Sequence, residues 1–145
     1  LLDDVLASGG YTPADAERMR ALLQAYQACF HHDVAPALLH MDVWAQNILV
    51  DGDGRVTGLV DFDRALWGDP EIEFAVLDYC GISEAPFWEG YGRQRDVSPD
   101  AEIRRIFYLL YEIQKYMPIA IWRRGDPRAA HRYREQCVQL ADQLG

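Results

Sequence analysis

Hydrophobic positions keep a helical period at both ends of the chain and lose it in the middle. Met19, Leu22, Leu23, Tyr26 and Phe30 fall on one stripe of "PADAERMRALLQAYQACFHH", the spacing of a helix with one buried face. A short helix over "LLDDVLAS" precedes it and stops at Gly9-Gly10. Further on, "ALLH", "NILVD" and "RVTGLVDF" are short β-prone runs. Between the last two lies "DGDG", Asp51 to Gly54, a hairpin turn because Gly tolerates positive φ. The pattern predicts a strand, a loop, and then a hairpin from about Ile48 to Phe62. Helices return with "DPEIEFAVLDYCG", which stops at Gly81, and with the shorter, turn-rich "SEAPFWEGYG". A long helix over "SPDAEIRRIFYLLYEIQKYMPIAIWRRG" is expected to kink at Pro118, where an N–H is missing. "DPRAAHRYREQCVQLADQLG" closes the chain.

Four helix starts share one device: Thr12-Pro13, Asp69-Pro70, Ser98-Pro99 and Asp126-Pro127. The capping oxygen accepts a free backbone N–H, and Pro follows where no hydrogen bond is due. Asp15, three residues after Thr12, comes close to a capping box. The fold class expected is α+β, mostly α, with helices around a short β-hairpin. Neither linker nor repeat divides the 145 residues, so 1–145 reads as a single domain.

The net charge of −9 argues against nucleic acid as a partner. It suits a cationic small molecule or a metal ion, and solubility explains it equally well. Cys29, Cys80 and Cys137 are odd in number and far apart, and their contexts read as buried thiols in a reducing compartment. With no signal peptide and no apolar run of membrane length, the expected location is cytoplasmic and no membrane partner is implied. The chain opens on Leu1 rather than Met, which fits a fragment.

The informative chemistry lies in "LLHMDVWAQNILVDGDGRVTGLVDFD", Leu38 to Asp63. His40-x-Asp42 is followed by Asn47, giving H-x-D-x-x-x-x-N. Asp61-Phe62-Asp63 comes fourteen residues after Asn47, at the end of the hairpin. The hairpin returns the chain to the loop, so Asp61 can join Asp42 and Asn47. Phosphoryl transfer uses such a set: one carboxylate orients the attacking hydroxyl and takes its proton, and oxygen ligands hold Mg²⁺ against the nucleotide phosphates. Capping and turn chemistry alone would not need Asp61 in register with the loop.

The stretch resembles the catalytic and metal-binding loops of the aminoglycoside phosphotransferase family, relatives of the protein kinases. "LLHMDVWAQNILVD" is similar to that family's H-x-D-x-x-x-x-N loop, and "GLVDFDRALWGDPEIEFA" to its strand–Asp–Gly-Asp-Pro segment. The resemblance implies Asp42 as catalytic base, Asn47 and Asp61 as the Mg²⁺ and nucleotide ligands, and Asp63 as a further metal ligand or outer acid. It implies a kinase-like C-terminal lobe, with ATP or GTP as donor and a small-molecule hydroxyl acceptor, an antibiotic first; the acidity slightly favours a cationic one, and amino alcohols, sugars and homoserine-like metabolites stay open. Met41 replaces the Arg of protein kinases, and Asp61-Phe62-Asp63 replaces their D-F-G. Activation-loop control and a flipping Gly hinge are therefore not expected.

No Gly-rich phosphate loop precedes Leu38, and the sole Lys, Lys115, comes after the catalytic loop. The N-terminal nucleotide-binding lobe is thus expected to be missing from the chain, which alone would be inactive. The alternative is a non-catalytic module that binds a ligand or a protein. A metal-dependent phosphoesterase ranks last, because no His stands near Asp61 and Asp63 to complete its ligands.

Several residues take plainer readings. His40 is a supporting histidine, and Asp51 and Asp53 make a turn, since Arg55 and Val56 break a Ca²⁺ loop. Asp69 is first a helix cap. Phe87, Trp88 and Tyr91, and the stripe Phe107, Tyr108, Tyr111, Tyr116 and Trp122, read first as core, with lining of an acceptor pocket as the alternative for some of them. Glu71, Glu84, Glu89 and Glu112 read mostly as solvated acids.

Overall fold

The computed structural model describes residues 1–145. Its fold is α+β and mainly helical around a small antiparallel hairpin, that of a kinase-like C-terminal lobe. The chain gathers into two compact units, one built from 1–32 with 99–145, the other from 33–98.

The first unit is all helix: α1 (Leu2–Ala7), α2 (Pro13–Tyr26), a 3₁₀ turn (Gln27–Phe30), α5 (Pro99–Gln114), α6 (Tyr116–Pro118) and α7 (Pro127–Asp142). The capping box expected at Thr12 is complete. Its hydroxyl accepts the Asp15 N–H at 3.2 Å, and the Asp15 carboxylate accepts the Thr12 N–H at 2.8 Å. Val5, Met19, Leu110, Ile113, Met117 and Cys137 form its interior. The break expected at Pro118 is spread over a longer stretch. α5 ends at Gln114, and beyond Pro118 the backbone widens into a π turn, Ile119–Arg123, closed by Arg124 N–H on the Ile119 carbonyl at 3.2 Å.

Glu112 corrects one expectation. It is buried rather than solvated, 1% exposed, and it pairs with Lys115 at 2.5 Å and accepts the Tyr116 hydroxyl at 3.1 Å. Burial of a carboxylate is tolerable only with such partners. The cysteines need a second correction. All three are free thiols, but only Cys137 is buried, Cys29 is partly so and Cys80 is exposed.

The second unit carries the strands. β2 (Ile48–Val50) and β3 (Val56–Leu59) form the expected hairpin, antiparallel with Ile48 opposite Leu59 and an irregular register at Leu49/Val50. The Asp51 carboxylate accepts the N–H groups of Asp53 and Arg55, and Gly54 takes a φ of 80°, so "DGDG" is the turn it was read as. β1 (Ala37–Leu39) pairs instead with β4 (Leu66–Gly68), Leu38 opposite Trp67. β4 is too short to show an alternating pattern in sequence. α3 (Pro70–Tyr79) starts at Asp69, whose side chain accepts the Glu71 N–H, and α4 (Ala85–Tyr91) follows. Leu39, Met41 and Val76 are buried together, with Ala37 and Ile72 against them. Phe74 is ringed by Phe87, Trp88 and Tyr91 at 4.9–6.4 Å between centroids. No helix of either unit is long and apolar enough to cross a membrane.

Candidate active site

The site grows out of the end of β1. His40 is buried, and its Nε2 lies 2.9 Å from the Val60 carbonyl, the supporting role expected of it. Val60 in turn donates its N–H to the Asn47 carbonyl at 3.0 Å. The residue just before Asp61 is thereby tied to the loop on both sides.

Met41 and Asp61 are the two non-glycine residues with positive φ, 64° and 67°. That left-handed backbone is unfavourable for a side chain as bulky as Met and is retained only where neighbours enforce it. For Met41 the enforcing group is Glu73 on α3. Its carboxylate accepts the His40 N–H at 2.6 Å and the Met41 N–H at 3.1 Å. The buried Met41 side chain, 1% exposed, fixes the turn from the other side.

Asp42 is held by both oxygens. Oδ2 accepts from Asn47 Nδ2 at 3.0 Å, and Oδ1 accepts from Arg64 Nη1 at 3.1 Å. Asn47 Nδ2 also donates to the Asp42 carbonyl at 2.9 Å. With its amide nitrogen spent on Asp42, buried Asn47 keeps its carbonyl oxygen Oδ1 as a ligand for a cation. Asp61 and Asp63 are exposed, and no hydrogen bond within the chain holds either carboxylate. A carboxamide oxygen plus a free carboxylate is the hard-oxygen set Mg²⁺ accepts, with waters completing its shell. The residues therefore fit the ion. No three His, Cys, Asp or Glu side chains gather as a metal cluster. Asp42 and Asn47 are brought into contact, and Val60, next to Asp61, is bonded to Asn47; no contact joins the Asp61 or Asp63 side chain to them.

Two residues of the site carry no advance signal. Arg64 directly follows the acidic triplet and reads in sequence as a solvated charge, yet it is only 27% exposed and pairs with Asp42. Glu73 reads as one more acid on the first turn of α3. Helical spacing that places Ile72, Val76 and Glu73 toward β1 was the only available hint. On the apolar side of the loop, a cavity of about 360 Å³ is lined by His40, Val43, Phe62, Glu73 and Phe74 among others. Trp88 and Glu89 line a separate open cleft of about 630 Å³.

A kinase-like lobe whose loop joins an H-x-D-x-x-x-x-N run to a following Asp defines the class. The sequence model of the fructosamine kinase family matches residues 4–120, and the chain belongs to that family. It is similar to a probable ketoamine kinase of Lactiplantibacillus plantarum, 32% identical over 65% of this chain and 33% of that protein. It is also similar to the ketosamine-3-kinase of Mus musculus, 31% identical over 54% of this chain and 25% of that one. A chloroplastic protein-ribulosamine 3-kinase of Oryza sativa subsp. indica is 38% identical over 52% of this chain and 21% of the relative. The chain spans a third or less of the length of these curated relatives. The kinase-like part of the resemblance is thus supported, and the family that the matched residues show is that of the fructosamine kinases.

Proposed function

We propose that the chain is the catalytic, acceptor-binding lobe of an ATP-dependent ketoamine kinase, with the nucleotide-binding lobe elsewhere in the complete enzyme. The observation that carries this reading is the Asp42–Asn47 side-chain bond, with Val60 tying Asp61 to the same loop. Asp42 acts as the base: it accepts the hydrogen bond of the acceptor hydroxyl and takes its proton. Because the transition state of phosphoryl transfer is loose, Asp42 contributes mainly orientation and its proton uptake comes late. Asn47 Oδ1 and the Asp61 carboxylate would hold Mg²⁺, with Asp63 as an outer acid. When bound, the ion neutralises charge on the nucleotide phosphates.

The acceptor is a hydroxyl of a sugar that carries an amine. The resemblance put an antibiotic first, but the relatives' names point to ketoamines, and an amine-bearing acceptor agrees with the net charge of −9. ATP takes precedence over GTP as donor.

The test is Asp42→Ala in the complete enzyme, assayed with a fructosamine acceptor. Transfer should fall by about 10³-fold, with nucleotide affinity unchanged by calorimetry. Retained turnover would remove the base assignment.

A further inference from the structure

We infer that Arg64 is the positioning residue of Asp42, a role that rests on the phosphotransferase reading above. A carboxylate that must orient a hydroxyl needs a fixed plane, because rotation about its last torsion is soft. Here the plane is fixed by one donor on each oxygen, Asn47 Nδ2 on Oδ2 at 3.0 Å and Arg64 Nη1 on Oδ1 at 3.1 Å. Asn47 alone leaves Oδ1 untethered. Each oxygen of a carboxylate has a second lone pair, so the hydroxyl can still be received while both tethers stay in place.

From Asp33 to Gly54 the chain contains neither Lys nor Arg, and the catalytic loop itself, "HMDVWAQN", is without positive charge. Arg64 comes from the segment that carries Asp61 and Asp63, three residues after Asp61. Its contact with Asp42 thus spans 22 residues and joins the base loop to the metal-binding segment by side chains as well as by backbone. Both partners are largely sheltered, 27% and 29% exposed, which makes the contact far less subject to screening than an open surface pair.

In the transfer step the acceptor oxygen forms the new bond to phosphorus. The bond from phosphorus to the bridging oxygen breaks and leaves its electron pair on the nucleoside diphosphate, and the hydroxyl proton passes to Asp42. Arg64 exchanges no atom. It acts on the fraction of time Asp42 spends aimed at the hydroxyl, so its loss lowers kcat and leaves binding alone. Misplacing a reacting group by about 1 Å is worth on the order of 10²-fold in rate.

The experiment is steady-state kinetics of the complete enzyme as wild type, Arg64→Ala, Arg64→Lys and Asp42→Ala, with ATP and a fructosamine acceptor. Positioning predicts that Arg64→Ala lowers kcat by roughly 10- to 100-fold with both KM values within two-fold of wild type. Arg64→Lys, or methylguanidinium added to Arg64→Ala, should recover part of the loss, which also shows that the variant is folded. A raised KM for ATP would overturn the proposal and make Arg64 a phosphate contact. An unchanged kcat in Arg64→Ala beside an inactive Asp42→Ala would remove this inference alone. An active Asp42→Ala would remove the phosphotransferase reading and this role with it.

Discussion

Met41 and Glu73 show how much of the site depends on single residues outside the motif. The left-handed Met41 is held by the Glu73 carboxylate, which accepts its N–H and that of His40, and such charge-assisted bonds are worth more than neutral ones. Glu73→Gln keeps the shape but loses the charge and one of the acceptor oxygens. It should destabilise the protein by about 1–2 kcal/mol in urea denaturation and speed amide exchange at His40 and Met41 more than elsewhere. Unchanged exchange there would show that the buried Met41 side chain alone sets the turn. Asp42, Asn47 and Asp61 could be nominated from the sequence because their spacing is itself the motif. Glu73 and Arg64 could not. Their roles come from partners 32 and 22 residues away, and nothing local distinguishes them from solvated charges.

Among the elements, every start signalled by a cap and Pro is a helix start within a residue, because caps and Pro act locally. The hairpin was equally readable from its Gly-rich turn. β4 was not, since three residues gain strand geometry only from pairing with β1. The same limit applies at Gly10. In sequence it reads as part of a helix stop, but in the fold a Cβ there would stand 2.8 Å from Met117 Cβ and 3.1 Å from Val5 Cγ1. Gly10→Ala should therefore cost about 1–3 kcal/mol through overpacking, measured as a lowered Tm. A neutral Gly10→Ala would mean that α1 can shift away from Met117 freely.

For the molecule as a whole, one contribution to stability that depends on acid comes from Asp15. Burial raises its pKa, but hydrogen bonds from Arg134 and from Thr12 outweigh this and lower it from 3.8 to about 2. Arg134 reaches it at 2.8 and 3.0 Å across 119 residues, which joins the start of α2 to α7. The folded state thus favours the ionised form. The contribution is complete above about pH 4 and disappears as pH falls toward 2. With Arg134 31% exposed, solvent screening reduces it to about 1 kcal/mol. Asp15→Asn should therefore be less stable than wild type near pH 7, and the gap should close by about pH 2 in denaturant titrations. A gap independent of pH would assign the effect to the cap alone. What the sequence by itself determined are the features set by near neighbours: helix starts, the hairpin turn, the charge, and a motif whose residues are spaced along one loop. Only the tertiary structure decided which side chains close that loop, because Glu73, Arg64 and β4 act through contacts between segments that the chain order keeps apart.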